Sequence, residues 1–330
     1  MSLFRGWNVR ECAHSHVFPD QNGIQECFFC PKDAFFPLNR DISFVAMRLL
    51  IYSDLHLENH SFTPPPAAVK LADVVILAGD IKEGGGLASA RKMFPKSEIV
   101  YVAGNHEFYN THWGRALARM RSEAKDLGIH FLENDELTLG GIRFLGCTLW
   151  TDFQFFGPRL EDLVKLECHR HLPDYHAIWV DDEKQNLADC NEFGFPPKRL
   201  IAPDDIQQRH RQSRAWLEAA LAEGNPARTV VVTHHLPHQR SVVRRYKQHH
   251  TSGAYATRLP AELIQRCGLW VHGHSHDSVN HRFGDSIHET RVISNPRGYR
   301  MLWQAGTENP RFDPGFTVEF PWPKRAVPTI

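Results

Sequence analysis

Five times along this chain a short apolar run stops abruptly at side chains that can hold a metal ion. Leu49-Leu50-Ile51-Tyr52 runs into Ser53-Asp54-Leu55-His56, and Val74-Val75-Ile76-Leu77-Ala78 into Gly79-Asp80. Ile99-Val100-Tyr101-Val102-Ala103 runs into Gly104-Asn105-His106-Glu107. Thr229-Val230-Val231-Val232-Thr233 ends in His234-His235, and Leu269-Trp270-Val271 in His272-Gly273-His274-Ser275-His276. Runs of this length bounded by polar residues read as buried strands. A helix over 87–94 separates the second run from the third, so the first three form βαβ units. That makes them neighbouring parallel strands with right-handed crossovers. Folds of this class place ligand sites at the carboxyl edge of such a sheet. Side chains two apart on an extended backbone point the same way, so Asp54 and His56 are expected to grip one ion.

The rest of the chain fills in around those strands. Trp113, Leu117, Met120, Ala124 and Leu127 fall on one helical face, and Gly128 can end that helix. Short strands follow over 129–131, 137–139 and 142–149, with Gly140-Gly141 as a hairpin turn. Over 151–203 the periodicity is poor, which predicts a looped insertion over the active site. Asp204 or Asp205 opens a helix running to about Ala222, with Ile206, Leu217 and Leu221 in its stripe. His210 lies on that stripe and reads as a buried structural histidine. Residues 287–294 extend a second sheet, Asn295 to Tyr299 is a turn, and the tail holds several prolines and ends irregularly. Residues 1–46 show no sustained period and form an N-terminal extension to a domain over 47–330. Cys12, His14, His16, Cys27 and Cys30 could hold a structural zinc there; the simpler expectation is a disordered extension, or sequence upstream of a start at Met47.

Composition narrows the class. With 330 residues the chain suits one large domain or two small ones. The formal net charge of +0 implies no basic face, so a nucleic-acid backbone is not the default partner. Histidine is the commonest metal ligand, and 21 of them hint at metal chemistry. Seven scattered cysteines do not make a disulfide framework and fit a reducing compartment. Without a membrane span or a secretory signal, a cytoplasmic protein is expected.

Taken singly, an Asp after Gly is a turn residue and a Gly-Asn-His an ordinary loop. Taken together, Asp54, His56, Asp80, Asn105, His106, His234, His274 and His276 would repel or stay unsatisfied unless a cation sat among them. In order and spacing, Asp54-x-His56, Gly79-Asp80, Gly104-Asn105-His106-Glu107, His234 in Thr-His-His and Gly273-His274-x-His276 resemble the calcineurin-like metallophosphoesterase superfamily. The resemblance spans roughly 47–300. Ser294-Asn295-Pro296-Arg297-Gly298-Tyr299 and Asn309-Pro310-x-Phe312-Asp313 look like its small bacterial members.

The resemblance implies an αββα sandwich, two mixed sheets flanked by helices. It implies two divalent metals, one held by Asp54, His56, Asp80 and His276, the other by Asp80, Asn105, His234 and His274. Mixed nitrogen and oxygen donors suit Mn²⁺, Fe, Zn²⁺ or Ni²⁺ over Ca²⁺ or Mg²⁺. The implied reaction is hydrolysis of a phosphomonoester or phosphodiester by a metal-activated hydroxide, with His106 assisting the leaving group. Glu107 would orient His106 or raise its pKa; His235 and His272 would support or pack. Arg297 and Tyr299 are candidates for contact with a small phosphoester substrate. Leu57 and Lys82-Glu83-Gly84 depart from the protein serine/threonine phosphatases, and His106 stands where lipid A pathway pyrophosphohydrolases carry arginine. Cyclic-nucleotide phosphodiesterases fit, whereas a nuclease would need a basic stripe. The rival class is a metal-binding scaffold without catalysis, and oligomeric state is open.

Overall fold

A computed structural model describes residues 46–182, 197–284, 289–300 and 306–321. The N-terminal extension, with its candidate zinc ligands, lies outside the described residues. β1 (Met47–Tyr52), β2 (Val74–Ala78) and β3 (Glu98–Val102) are the first three apolar runs, and they pair in parallel in that order. β4 (Thr111–His112) is short; β5 (His130–Phe131) joins the far side of β3. β6 (Asp135–Leu139) and β7 (Ile142–Cys147) form the hairpin expected at Gly140-Gly141. Then come β8 (Ile178–Asp181), β9 (Lys198–Leu200), β10 (Thr229–Thr233), β11 (Leu269–Val271), β12 (Val279–Gly284), β13 (Glu289–Ser294) and β14 (Thr317–Phe320).

One sheet has the order β14-β1-β2-β3-β5, the second β12-β13-β11-β10-β7-β6. The alternation of each strand decides the layers. Leu49, Ile51, Val74, Ile76, Val100 and Val102 point one way and meet Phe144, Val230, Val232, Leu269 and Val271 of the second sheet, all buried. Their neighbours Leu50, Tyr52, Val75, Leu77, Ile99 and Tyr101 point the other way. They pack beneath α1 (Pro66–Leu71), α2 (Leu87–Met93) and α3 (Trp113–Leu127). Gly128 ends α3 at φ 63°, a left-handed conformation that glycine adopts without penalty.

The insertion departs from the expected loop. It contains α4 (Glu161–His171), α5 (Asp174–Ala177) and the strands β8 and β9, which join β4 in a three-stranded sheet. Its elements are too short to carry a visible period, and the helix α4 buries only Val164 and Cys168. α6 (Pro203–Ala220) and α7 (Ala261–Ile264) cover the outer face of the second sheet through Leu217, Leu221, Leu263 and Ile264. The molecule is therefore an αββα sandwich. Near the tail, β14 pairs antiparallel with β1. Among the described residues no helix is long and apolar enough to cross a membrane.

Candidate metal centre

β1, β2, β3, β10 and β11 all deliver their ends to one place. The route differs from the extended backbone on which the spacing of Asp54 and His56 was read. β1 stops at Tyr52, and Asp54 and His56 sit at φ 51° and 44°. Asp80, His274 and His276 are also left-handed, at 54°, 73° and 49°. For non-glycine residues this region is uncommon and costs on the order of 1 kcal/mol or more each. Backbone contacts hold it: Asp54 N donates to Gly79 O, His56 N to Asp80 O, and Gly298 N to Asp54 O.

Two groups of donor atoms result. In one, His56 Nε2 and His276 Nε2 are 3.0 Å apart, with Asp54 Oδ1 3.5 Å from the latter. In the other, His234 Nε2 lies 3.1 Å from Asn105 Oδ1, 3.2 Å from His274 Nδ1 and 3.3 Å from Asp80 Oδ2. Asp80 Oδ2 also lies 3.9 Å from His56 Nε2, so this one carboxylate faces both groups.

Tautomers test whether a cation fits. His56 donates its Nδ1 proton to Glu58 at 2.9 Å, and His276 donates its own to Glu308 at 2.6 Å. Each neutral ring is left with a lone pair on Nε2, and the two lone pairs face one another. His234 likewise donates Nδ1–H to Ala78 O. Asn105 Nδ2 donates to Asp174 Oδ1 at 2.9 Å and to Tyr109 Oη at 3.1 Å, which turns Oδ1 inward. His56, His276 and His234 thus turn Nε2 lone pairs, and Asp54, Asp80 and Asn105 turn oxygens, toward one another. Without a cation they repel, and the carboxylates respond by drawing protons in. Burial disfavours a charged His234, yet Asp80 outweighs it and holds the ring up at about 9. His276 is held up at about 10 against burial by Asp54 and Glu308. The donor sets fit divalent transition metals, with Glu58 and Glu308 fixing the rings of His56 and His276 and the Ala78 carbonyl that of His234.

A chelator that strips the protein is therefore expected to lower Tm by roughly 10 °C, since metals bind the folded state alone. Scanning fluorimetry with and without chelator measures this; an unchanged Tm in metal-free protein would contradict the assignment.

The remaining expected residues fall in three ways. His106 stands at the centre's edge, with Nε2 3.1 Å from Tyr299 Oη and its ring stacked on Tyr109. Tyr299 lines the same cavity. Arg297 does not: its guanidinium donates to Leu55 O, His60 O and Ser61 O and covers Phe62. It fastens the loop after β1. Glu107 turns away from His106, and Glu58 Oε1 faces His106 Nδ1 instead, at 3.7 Å. Burial disfavours the imidazolium of His106, but Asp80 and then Glu58 hold it up at about 9. His235 and His272 are buried, donate to or bond Thr148 O and Ser241 Oγ, and are pushed down by burial to about 3 and 4. His210 is buried against Leu149 O, as its place on the helix stripe indicated.

Glu58, Glu308, Asp174, Tyr109 and Tyr255 escaped the sequence reading. Glu58 had a signal, two residues beyond His56 on the same loop. Tyr255 stacks on His274 at 4.4 Å and carries none. The centre opens into a cavity of about 440 Å³ lined by Asp80, Asn105, His106, Tyr255, Tyr299 and Glu308, among others.

The chain is similar to several known proteins. A curated relative, the uncharacterized protein L509 of Acanthamoeba polyphaga mimivirus, is 25% identical over 282 residues, 77% of this chain and 92% of that protein. Among solved structures, the phosphopantetheinyl hydrolase PptH of Mycobacterium tuberculosis shares the fold at a TM-score of 0.54 and 17% identity, covering 78% of this chain and 91% of that one. A dimetal phosphatase from Danio rerio aligns at a TM-score of 0.39 and 14% identity, over 76% of this chain and 87% of its own. The calcineurin-like phosphoesterase family model matches residues 47–278, and the chain belongs to that family of phosphoester hydrolases.

Proposed function

We propose that the protein hydrolyses a small phosphodiester, using two divalent metals held by Asp54, His56, Asp80 and His276 and by Asp80, Asn105, His234 and His274. The observation that carries this is the pair of His/Asp donor groups sharing Asp80 at the floor of a cavity sized for a small molecule. When bound, the metals would supply charge stabilisation on phosphate oxygens and a water acidic enough to serve as nucleophile. His106 holds the proton for the leaving oxygen, and Tyr299 Oη positions Nε2 for the transfer. Glu308 and Asp174 add carboxylates to the cavity, which oppose a dianionic monoester more than a monoanionic diester. Buried free thiols at Cys147, Cys168 and Cys267 support a reducing, cytoplasmic setting.

The test is hydrolysis of bis-p-nitrophenyl phosphate and p-nitrophenyl phosphate by stripped protein resupplied with Mn²⁺. We expect metal-dependent turnover of the diester. His106→Ala should lose about 10²–10⁴-fold in kcat with metal content unchanged. A preference for the monoester would shift the reading to a phosphatase. Two bound metals with no turnover of either compound would favour a scaffold.

A further inference from the structure

The zero net charge conceals one markedly uneven stretch. From 224 to 261 the chain contains no Asp or Glu, but it holds Arg228, Arg240, Arg244, Arg245, Lys247 and Arg258. The middle of this stretch builds one wall of the cavity: Val242, Val243, Tyr246, His249 and Tyr255 all line it. Arg244, Arg245, Tyr246, Lys247, Gln248 and His249 are consecutive and all exposed. Arg245 is neutralised by Asp277, with both carboxylate oxygens at 2.8 Å. Among the described residues no carboxylate pairs with Arg240, Arg244, Lys247 or Arg258. Tyr246 keeps 38% of its surface exposed among them, beneath the Arg245 guanidinium.

Their field is felt by neighbours. Burial, then the charges of Arg240, Arg258 and Lys247, push His238 down, and burial, Arg240, His238 and Lys247 push His281 down to about 4. The cavity thus has an acidic floor, and on one side Arg244 and Lys247 flank its wall residues Val243 and Tyr246 in the chain. A substrate whose only charge is the reacting phosphate meets the floor alone and gains little from that side.

We propose that the 240–249 wall is a subsite for a second phosphate, so that the natural substrate is a phosphoester carrying at least one further phosphate group. This rests on the proposed phosphoesterase reading. Such a ligand spans the cavity, with one phosphate at Asp80 and the other at Arg244 and Lys247. Exposed charges attract it weakly singly and usefully together, and salt screens them.

Calorimetry on the full-length, metal-loaded protein tests this with probes that cannot be hydrolysed: alkane-α,ω-diphosphonates of three to six carbons, each against the alkylphosphonate of equal length. At low salt, at least one diphosphonate should bind about fivefold or more tighter than its monophosphonate, beyond the twofold of having two equivalent ends. In Arg244→Glu/Lys247→Glu, and in wild-type at 0.5 M salt, the margin should fall to about twofold or less. Arg244→Ala/Lys247→Ala should lie between, and an unchanged Tm keeps both variants interpretable. No diphosphonate beating its partner beyond twofold, or a margin that survives charge reversal, would overturn the subsite. Turnover of bis-p-nitrophenyl phosphate is followed on the same samples, where the variants should match wild-type. Absence of turnover with the margin intact would sink the hydrolase reading and leave the subsite standing.

Discussion

Asp80→Asn should abolish the dinuclear centre. Its Oδ2 faces His234 at 3.3 Å and His56 at 3.9 Å, and among the described residues it is the sole carboxylate turned to both donor groups. An amide removes a full negative charge and leaves one oxygen where two are needed. Oδ1 accepts from His106 N at 2.9 Å, a bond the amide oxygen can keep, so the loop should stay folded. Metal content measured by mass spectrometry should drop from two ions to one or fewer per chain. Turnover of bis-p-nitrophenyl phosphate should fall by about 10³-fold or more. Asp54→Asn, whose carboxylate faces the donor atoms of one group and otherwise accepts from His274 N, should keep one ion. Retention of two tightly bound ions in Asp80→Asn would disprove the shared role.

Glu107→Ala should cost more stability than any ligand substitution. The carboxylate is fully buried and accepts four bonds. They come from Asp80 N at 3.0 Å, Gly104 N at 2.8 Å, Ile81 N at 2.8 Å and Tyr101 Oη at 2.7 Å. It ties the loop after β2 to the loop after β3. Burial and Asp80 raise its pKa, while the Tyr101 hydroxyl, the charge of His234 and Ile81 N oppose that rise. Truncation leaves three backbone N–H groups and a hydroxyl buried without acceptors. Each costs about 1–3 kcal/mol, so a loss of roughly 4–6 kcal/mol is expected, a large share of a typical domain's stability. Glu107→Gln should lose only about 2 kcal/mol, because Tyr101 can reverse and accept from the amide while one backbone donor is stranded. Urea denaturation separates the cases, and an alanine variant within 1 kcal/mol of wild-type would refute the cradle.

That the first three runs pair as parallel strands, and that five strand ends carry polar side chains to one place, was legible because both depend on local pattern: an apolar run, then a break. Asp54, Asp80, Asn105, His234 and His274 each follow such a break, and the structure brings them together with His56 and His276. What was not legible depends on direction rather than position. Glu107 adjoins His106 in sequence, but the 3₁₀ turn His106–Phe108 sends their side chains to opposite sides. The roles of Arg297 and Glu58 turn on which backbone carbonyl or ring nitrogen lies nearest, and a strand pattern carries no such information. The left-handed turns at His56 and His276 were equally hidden, because histidine gives no hint of positive φ. The short elements over 161–200 lacked enough residues to show a period. The cationic stretch near 240 was countable, yet a net total of zero averaged it away.

β14 closes the edge of the first sheet, and that has a consequence for synthesis on the ribosome. Until residues 317–320 emerge, β1 is an unpaired edge, and unpaired edges invite pairing with other chains. The histidine orienter Glu308 and the loop-fastening Asn295, which bonds Ile51 O and Asp313 O, also arrive late. At bacterial or eukaryotic elongation speeds, tens of seconds separate the translation of Asp54 from that of Glu308. The nascent chain therefore carries half a metal site, beside an open strand, through most of its production.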